Sequence, residues 1–224
     1  MGLTAVALIY SPWGRRSGAH MNPAVTLAFL ALGKVRPRDA VGYLAAQFAG
    51  GTLGVLLCVA LFGRALAAPE VDFVVTVPGP GGPGVAFAAE FLISGCLLYA
   101  VLRVASDPRR ERFAGVLAGT LVATWITFEA PLSGMSMNPA RTLASALPAG
   151  EFSALWVYFA APVAAMQLAA LLTTRAGGTR LCAKLRHDPA LPCIHCGHDP
   201  EGDASDRGRT RARCAHTPIP TSAP

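Results

Sequence analysis

The chain has 224 residues, 53% of them hydrophobic and 14% charged, and carries a net charge of +6. With a mean hydropathy of +0.44, the composition is not that of a soluble domain, and one membrane domain with a tail is the natural division. The basic residues do not form a nucleic-acid stripe: Arg15, Arg16, Lys34, Arg36, Arg38, Arg109, Arg110 and Arg112 lie between apolar runs, and most of the rest lie in the tail, which is a topology signal.

In chain order, Gly2 to Trp13 is apolar and helix-like, but its reach of about 18 Å is too short to span a bilayer alone. No basic residue precedes this run and Arg15-Arg16 follows it, so it does not read as a secretory signal. Ser17 to Ala28 carries an Asn-Pro-Ala motif, and the apolar run behind it ends at Leu32. Ala40 to Phe62 is a spanning candidate, with Gly50, Gly51 and Gly54 as small faces for helix packing. Residues 63–84 form a loop rich in Pro and Gly, with Arg64 as its one basic residue. Val85 to Ala105 spans next and carries Glu90; Asp107 to Arg112 is a basic turn; Phe113 to Phe128 spans again, with Glu129 at its far end. A second Asn-Pro-Ala motif follows within Ser133 to Ala144, and Leu155 to Thr173 is the last span, with Pro162 inside it. From Ala176 the chain turns polar and basic, and 203–224 has the composition of a disordered segment.

The two motif segments, Ser17–Ala28 and Ser133–Ala144, match at nine of twelve positions, and an internal repeat organises a fold before anything else does. Asn22 and Asn138 are good N-caps, and Pro23 and Pro139 fall where a helix tolerates a missing N–H. The apolar runs Ala24–Leu32 and Ala140–Leu147 reach about 12–14 Å, roughly half a ~30 Å hydrocarbon core. Two ordinary helix starts in surface loops are the bland alternative, and a coincidence of matching copies speaks against it. The segments rich in Lys and Arg (15–16, 34–38, 109–112 and the chain from Arg175) belong on one face, the cytoplasmic one by the positive-inside rule. The two half-helices then enter from opposite faces, as an inverted repeat requires.

The paired SGAxxNPAxT-type motifs, with Asn-Pro-Ala-Arg in the second copy, resemble those of the aquaporin (major intrinsic protein) family over roughly Gly2 to Leu172. The resemblance implies an all-α membrane protein, an inverted repeat of transmembrane helices with two re-entrant half-helices. It divides the chain into a channel domain, 1–175, and a largely disordered cytoplasmic tail, 176–224. The family has six spans with a Glu on the first, and the first half here shows no counterpart of the Glu90 span. The expectation is an N-terminally shortened member, through a mis-placed start or truncation; a five-span variant is the alternative. The resemblance further implies a passive, single-file water channel that excludes protons and ions, no catalysis, no cofactor, and a homotetramer in lipid, here in a bacterial inner membrane. Alternatives are a facilitator of ammonia, urea, metalloid hydroxides or glycerol, and a non-conducting truncated membrane protein.

Two half-helix N-termini meeting at the midplane bring positive dipole ends together, and the amides of Asn22 and Asn138 add donors there. With Pro23, Ala24, Pro139 and Ala140 they form the expected pore motifs. Arg141 is an intramembrane cation, functional by default; a salt bridge to Glu129 is the alternative. By the resemblance it lines the outer filter, with Met135 three residues before Asn138 and Ile126 at a position often held by His in water-selective members. The contribution of the second span falls at Met1 or Gly2. Thr142 stands where glycerol facilitators carry Asp. Glu90 is expected to hydrogen-bond the loop before a half-helix, and Gln47 to brace a loop or neighbouring helix. His20 lines the pore, braces its loop or gates by protonation; all three readings stand.

The tail holds Cys182, His187, Cys193 and Cys196. One C-x-x-C with a nearby Cys or His is a zinc-type ligand set, and a reduced, metal-free tail is the other reading. Arg207, Arg209, Arg211 and Arg213 suit anionic lipid better than nucleic acid.

Overall fold

The structure is a computed structural model describing residues 1–177, 182–185, 190, 192–193 and 195–196. His187 and the arginine-rich segment of the tail lie outside the described residues. Among the described residues, all regular structure is helical: α1 (Gly2–Tyr10), α2 (Pro12–Ser17), α3 (Pro23–Ala31), α4 (Pro37–Phe62), α5 (Gly82–Ala105), α6 (Ala114–Phe128), α7 (Ala130–Ser133), α8 (Pro139–Ala149) and α9 (Leu155–Arg175).

Prolines set many of these boundaries. The single run expected over Gly2 to Trp13 is split, because a residue before proline is driven out of the helical region. Ser11 is extended (ψ 160°), and its hydroxyl caps α2 by accepting from the Gly14 amide. Pro37 and Pro83 sit in the first turns of α4 and α5, where their missing N–H costs nothing, so both helices begin about one turn earlier than apolarity alone predicts. Pro162 is buried inside α9, a placement that packed membrane helices tolerate.

Helices α4, α5 and α9 are long and apolar enough to cross a membrane. At 15 residues, α6 reaches about 22 Å and is continued by a 3₁₀ turn at 111–113 on one side and α7 on the other. The chain packs as α5 on α9, α1 on α6, α4 on α8 and α3 on α9. Small residues make these crossings close, as is usual where lipid is as apolar as the core. A Cβ on Gly119 would lie 2.3 Å from Val6 Cγ2 and 2.6 Å from the Gly2 carbonyl oxygen. The Gly119→Val variant is therefore expected to melt in detergent at a clearly lower temperature than wild type, a loss of about 1–3 kcal/mol from overpacking; an unchanged melting temperature would contradict the close α1–α6 crossing.

The interior holds Ala24, Ala28, Phe29, Leu102 and Met166. Leu53, Leu57 and Leu61 of α4 and Trp156 of α9 are exposed. Large apolar side chains on the outside of long helices are what a lipid-facing surface presents.

Candidate functional site

Each half-helix begins the same way. In the first copy Gly18 (φ 81°) and Ala19 (φ 58°) are left-handed, and in the second Gly134 (φ 77°) and Met135 (φ 48°). Asn22 and Asn138 then cap α3 and α8: the Asn22 Oδ1 accepts from the Ala24 amide at 2.9 Å, and the Asn138 Oδ1 from Ala140 at 3.1 Å and Arg141 at 3.3 Å. Their amide nitrogens cross between the repeats. Asn22 Nδ2 donates to the Met137 carbonyl at 2.6 Å, and Asn138 Nδ2 donates to the Met21 carbonyl at 2.9 Å. The two helix N-termini thus face each other, joined by a reciprocal pair of hydrogen bonds. A primary amide has two N–H donors, so each asparagine retains one beyond this pair.

The loops leading to the two caps are braced differently. In the second, Glu90 is fully buried in α5 and accepts from Ser136 N at 2.6 Å, Met137 N at 2.7 Å and Ser133 Oγ at 3.0 Å. Tyr158 of α9 donates to the Ser133 carbonyl at 2.6 Å, and Ser136 Oγ bonds Thr142 Oγ1. In the first, Gln47 Nε2 of α4 donates to the His20 carbonyl and to Thr26 Oγ1, both at 2.8 Å. His20 is buried, with Nδ1 3.2 Å from Thr26 Oγ1 and Nε2 donating to the Ala183 carbonyl at 2.6 Å. A carboxylate secures one loop; an amide, an imidazole and a tail carbonyl secure the other.

Beside this junction lies a cavity of ≈ 540 Å³. Its polar wall includes His20, Tyr43, Gln47, Asn138, Arg141 and Ser145. Asn22 is not in that wall, though its neighbour Met21 is. Arg141 forms no ion pair with Glu129, and its Nη1 is buried without a hydrogen-bond partner, as are both carboxylate oxygens of Glu129. Ile126 and Met135 do not join Arg141 in the cavity wall. They pack into an apolar cluster with Ile93, Met137 and Trp125. Gly2 packs against Gly119 and Ala123, and the α1 residue in the cavity wall is Leu8.

Sequence reasoning passed over Tyr43 and Val55 as cavity residues, although a signal was present. Tyr43, Gln47, Gly51 and Val55, which all line the cavity, recur every four residues and so share one face of α4.

The described part of the tail lies against the same region. The Leu185 amide donates to the Gly18 carbonyl at 3.3 Å, and His195 Nε2 lies 3.3 Å from the Tyr43 hydroxyl. Tyr43 also donates to the Ser17 carbonyl at 2.6 Å and stacks on His20, with ring centroids 4.8 Å apart. Burial, and then the charge of Lys184, hold His195 below the ordinary histidine value. Cys182 and Cys193 have their sulfurs 3.6 Å apart.

Comparison with known proteins bears on this arrangement. Residues 1–173 match the family model described as major intrinsic protein. The chain is 43% identical over 143 residues to Aquaporin NIP1-3 of Oryza sativa subsp. japonica, a match covering 63% of this chain and 48% of that one. It is 42% identical over 142 residues to the Probable aquaporin AqpM of Archaeoglobus fulgidus, covering 62% and 57%. The chain thus spans about half the length of these curated relatives. Among solved structures it resembles the aquaglyceroporin from Plasmodium falciparum, with a TM-score of 0.63 at 19% identity over 76% of this chain and 87% of that one, which speaks for the fold. The repeated caps, the facing half-helices and the family match over 1–173 together establish that the chain is a multi-pass membrane protein belonging to the major intrinsic protein family.

Proposed function

We propose that the chain forms a passive path for water across the membrane, built on the junction of α3 and α8. The observation that carries this reading is the reciprocal bonding of Asn22 and Asn138, which leaves each amide one donor beside two helix N-termini. A water oxygen held by such donors has its hydrogens turned outward, which interrupts proton transfer along a water file, and the positive potential there repels cations. Arg141, with a buried and unbonded Nη1 in the cavity wall, is the filter cation in this reading. Glu90 and His20 are supporting residues that hold the two loops. The family is one of channels rather than enzymes.

A broader path for small uncharged solutes such as urea, ammonia, metalloid hydroxides or glycerol is the second reading. It is favoured by the largely apolar remainder of the cavity wall, which includes Leu8, Met21, Ala46, Val55 and Ala144. The basic turns at 34–38 and 107–112, and the tail, face the cytoplasm in both readings. In both readings the chain works as four copies in lipid, each with its own path.

Stopped-flow light scattering on proteoliposomes tests both readings. Osmotic shrinkage well above that of protein-free vesicles, without solute-driven reswelling, supports the water path. Reswelling in urea or glycerol supports the second, and shrinkage at the protein-free rate with either solute overturns both. The Asn138→Leu variant, which keeps the side-chain bulk but removes the cap and the crossed bond, is expected to destabilise the junction by roughly 1–2 kcal/mol and to lower water permeability in the same vesicle assay.

A further inference from the structure

The three described tail cysteines come together. The Sγ atoms of Cys182, Cys193 and Cys196 all lie within 4.8 Å of one another, and Cys182 and Cys193 are buried. Zinc–thiolate bonds of about 2.3 Å at tetrahedral angles place sulfurs about 3.8 Å apart. The observed 3.6 Å between Cys182 and Cys193 matches that edge and is far from the ~2.05 Å of a disulfide. Cys193 and Cys196 are spaced as a C-x-x-C chelate.

We propose that Cys182, Cys193 and Cys196 bind one soft divalent cation of the zinc class, with water or an exogenous ligand in the fourth position. Three thiolate ligands select such an ion over hard cations. Each ligating thiol gives up its proton on binding, and no oxidant takes part. The ion would tie residues 182–185 to 193–196. One piece rests on the loop before the first half-helix, through Ala183 on His20 and Leu185 on Gly18, and the other on α4, through His195 on Tyr43. The metal would thereby fasten the tail to the loop that positions Asn22. The binding claim stands independently of the channel reading; only this last consequence uses it.

The full chain, purified in detergent under reducing conditions without chelator and exposed to zinc, is expected to retain about one zinc per chain by elemental analysis. Cobalt in its place should show a thiolate charge-transfer band. Retention should fall about tenfold in Cys193→Ser and in Cys196→Ser, and remain unchanged in Cys58→Ser and Cys96→Ser. Should the serine variants fail to purify, chelator treatment of the wild-type chain gives a second readout: tryptic cleavage after Lys184, which is 1% exposed, should accelerate about tenfold on metal removal. Substoichiometric zinc, copper in place of zinc, a Cys182–Cys193 disulfide on peptide mapping, or zinc persisting when all three cysteines are serine would each overturn the proposal. None of these readouts depends on permeation, so a failure of the water path leaves them interpretable.

Discussion

Glu90→Ala is expected to give the largest loss of stability of any single substitution in the membrane domain, about 3–5 kcal/mol. The carboxylate accepts three hydrogen bonds, two of them from the backbone amides of Ser136 and Met137. Deleting it strands those buried N–H groups in a place water does not reach. Each such orphan costs about 1–3 kcal/mol, and the vacated volume adds to that. The effect should also pass to the path itself, because the Met137 carbonyl is the acceptor for Asn22. Glu90→Gln is the informative companion. It fills the same space and keeps one acceptor oxygen, but turns an NH₂ toward one of the amides, so it should melt between wild type and Glu90→Ala. Thermal unfolding in detergent, read by circular dichroism, decides the matter. If Glu90→Ala melts with the wild type, the loop does not depend on this carboxylate.

The second large effect is functional. Arg141→Ala is expected to admit charged and larger permeants while leaving the fold intact. A unit charge 4 Å from a permeating cation costs that cation about 4 kcal/mol at an effective dielectric constant of 20, an upper figure that removal of Arg141 would abolish. A rise of about tenfold or more in proton or methylammonium flux is the corresponding expectation, with glycerol flux rising because the side chain no longer narrows the wall. The fold should survive because Arg141 forms no ion pair with Glu129 and leaves Nη1 unbonded. Its backbone amide, which Asn138 caps, is untouched by the substitution. Proteoliposome flux assays with a pH-sensitive dye inside the vesicles make the comparison. Selectivity identical to wild type would remove Arg141 from the filter.

The fold class could be read from residues alone because it rests on local chemistry. An asparagine followed by proline favours a helix start, and its recurrence in two apolar settings announces an inverted repeat. The long helices α4, α5 and α9 declare themselves by apolar length. Other features depend on geometry that no linear count supplies. Counting back from Asn138 reaches Met135 and Ile126, but the short helix α7 and two left-handed methionines, Met135 and Met137, intervene. The chain changes direction there, and both side chains enter an apolar cluster with Ile93 while Arg141 lines the cavity. The α1 residue in the cavity wall is Leu8, which stands before the break at Ser11–Pro12 that divides α1 from α2. The bond from His20 to Ala183 joins residues far apart in the chain, and neither segment carries a pattern that foretells it.

The crossed amides have a bearing on how the molecule is made. Neither half of the repeat contains the acceptor for its own asparagine: the partner carbonyl lies more than a hundred residues away in the other half. Residues emerging first during synthesis must wait, with the turn at Asn22 unfinished, until the chain around Met137 has been inserted. Closure of the junction between α3 and α8 is then a late event, common to both halves, and a chain interrupted between them would leave Asn22 and Asn138 each without its crossed acceptor.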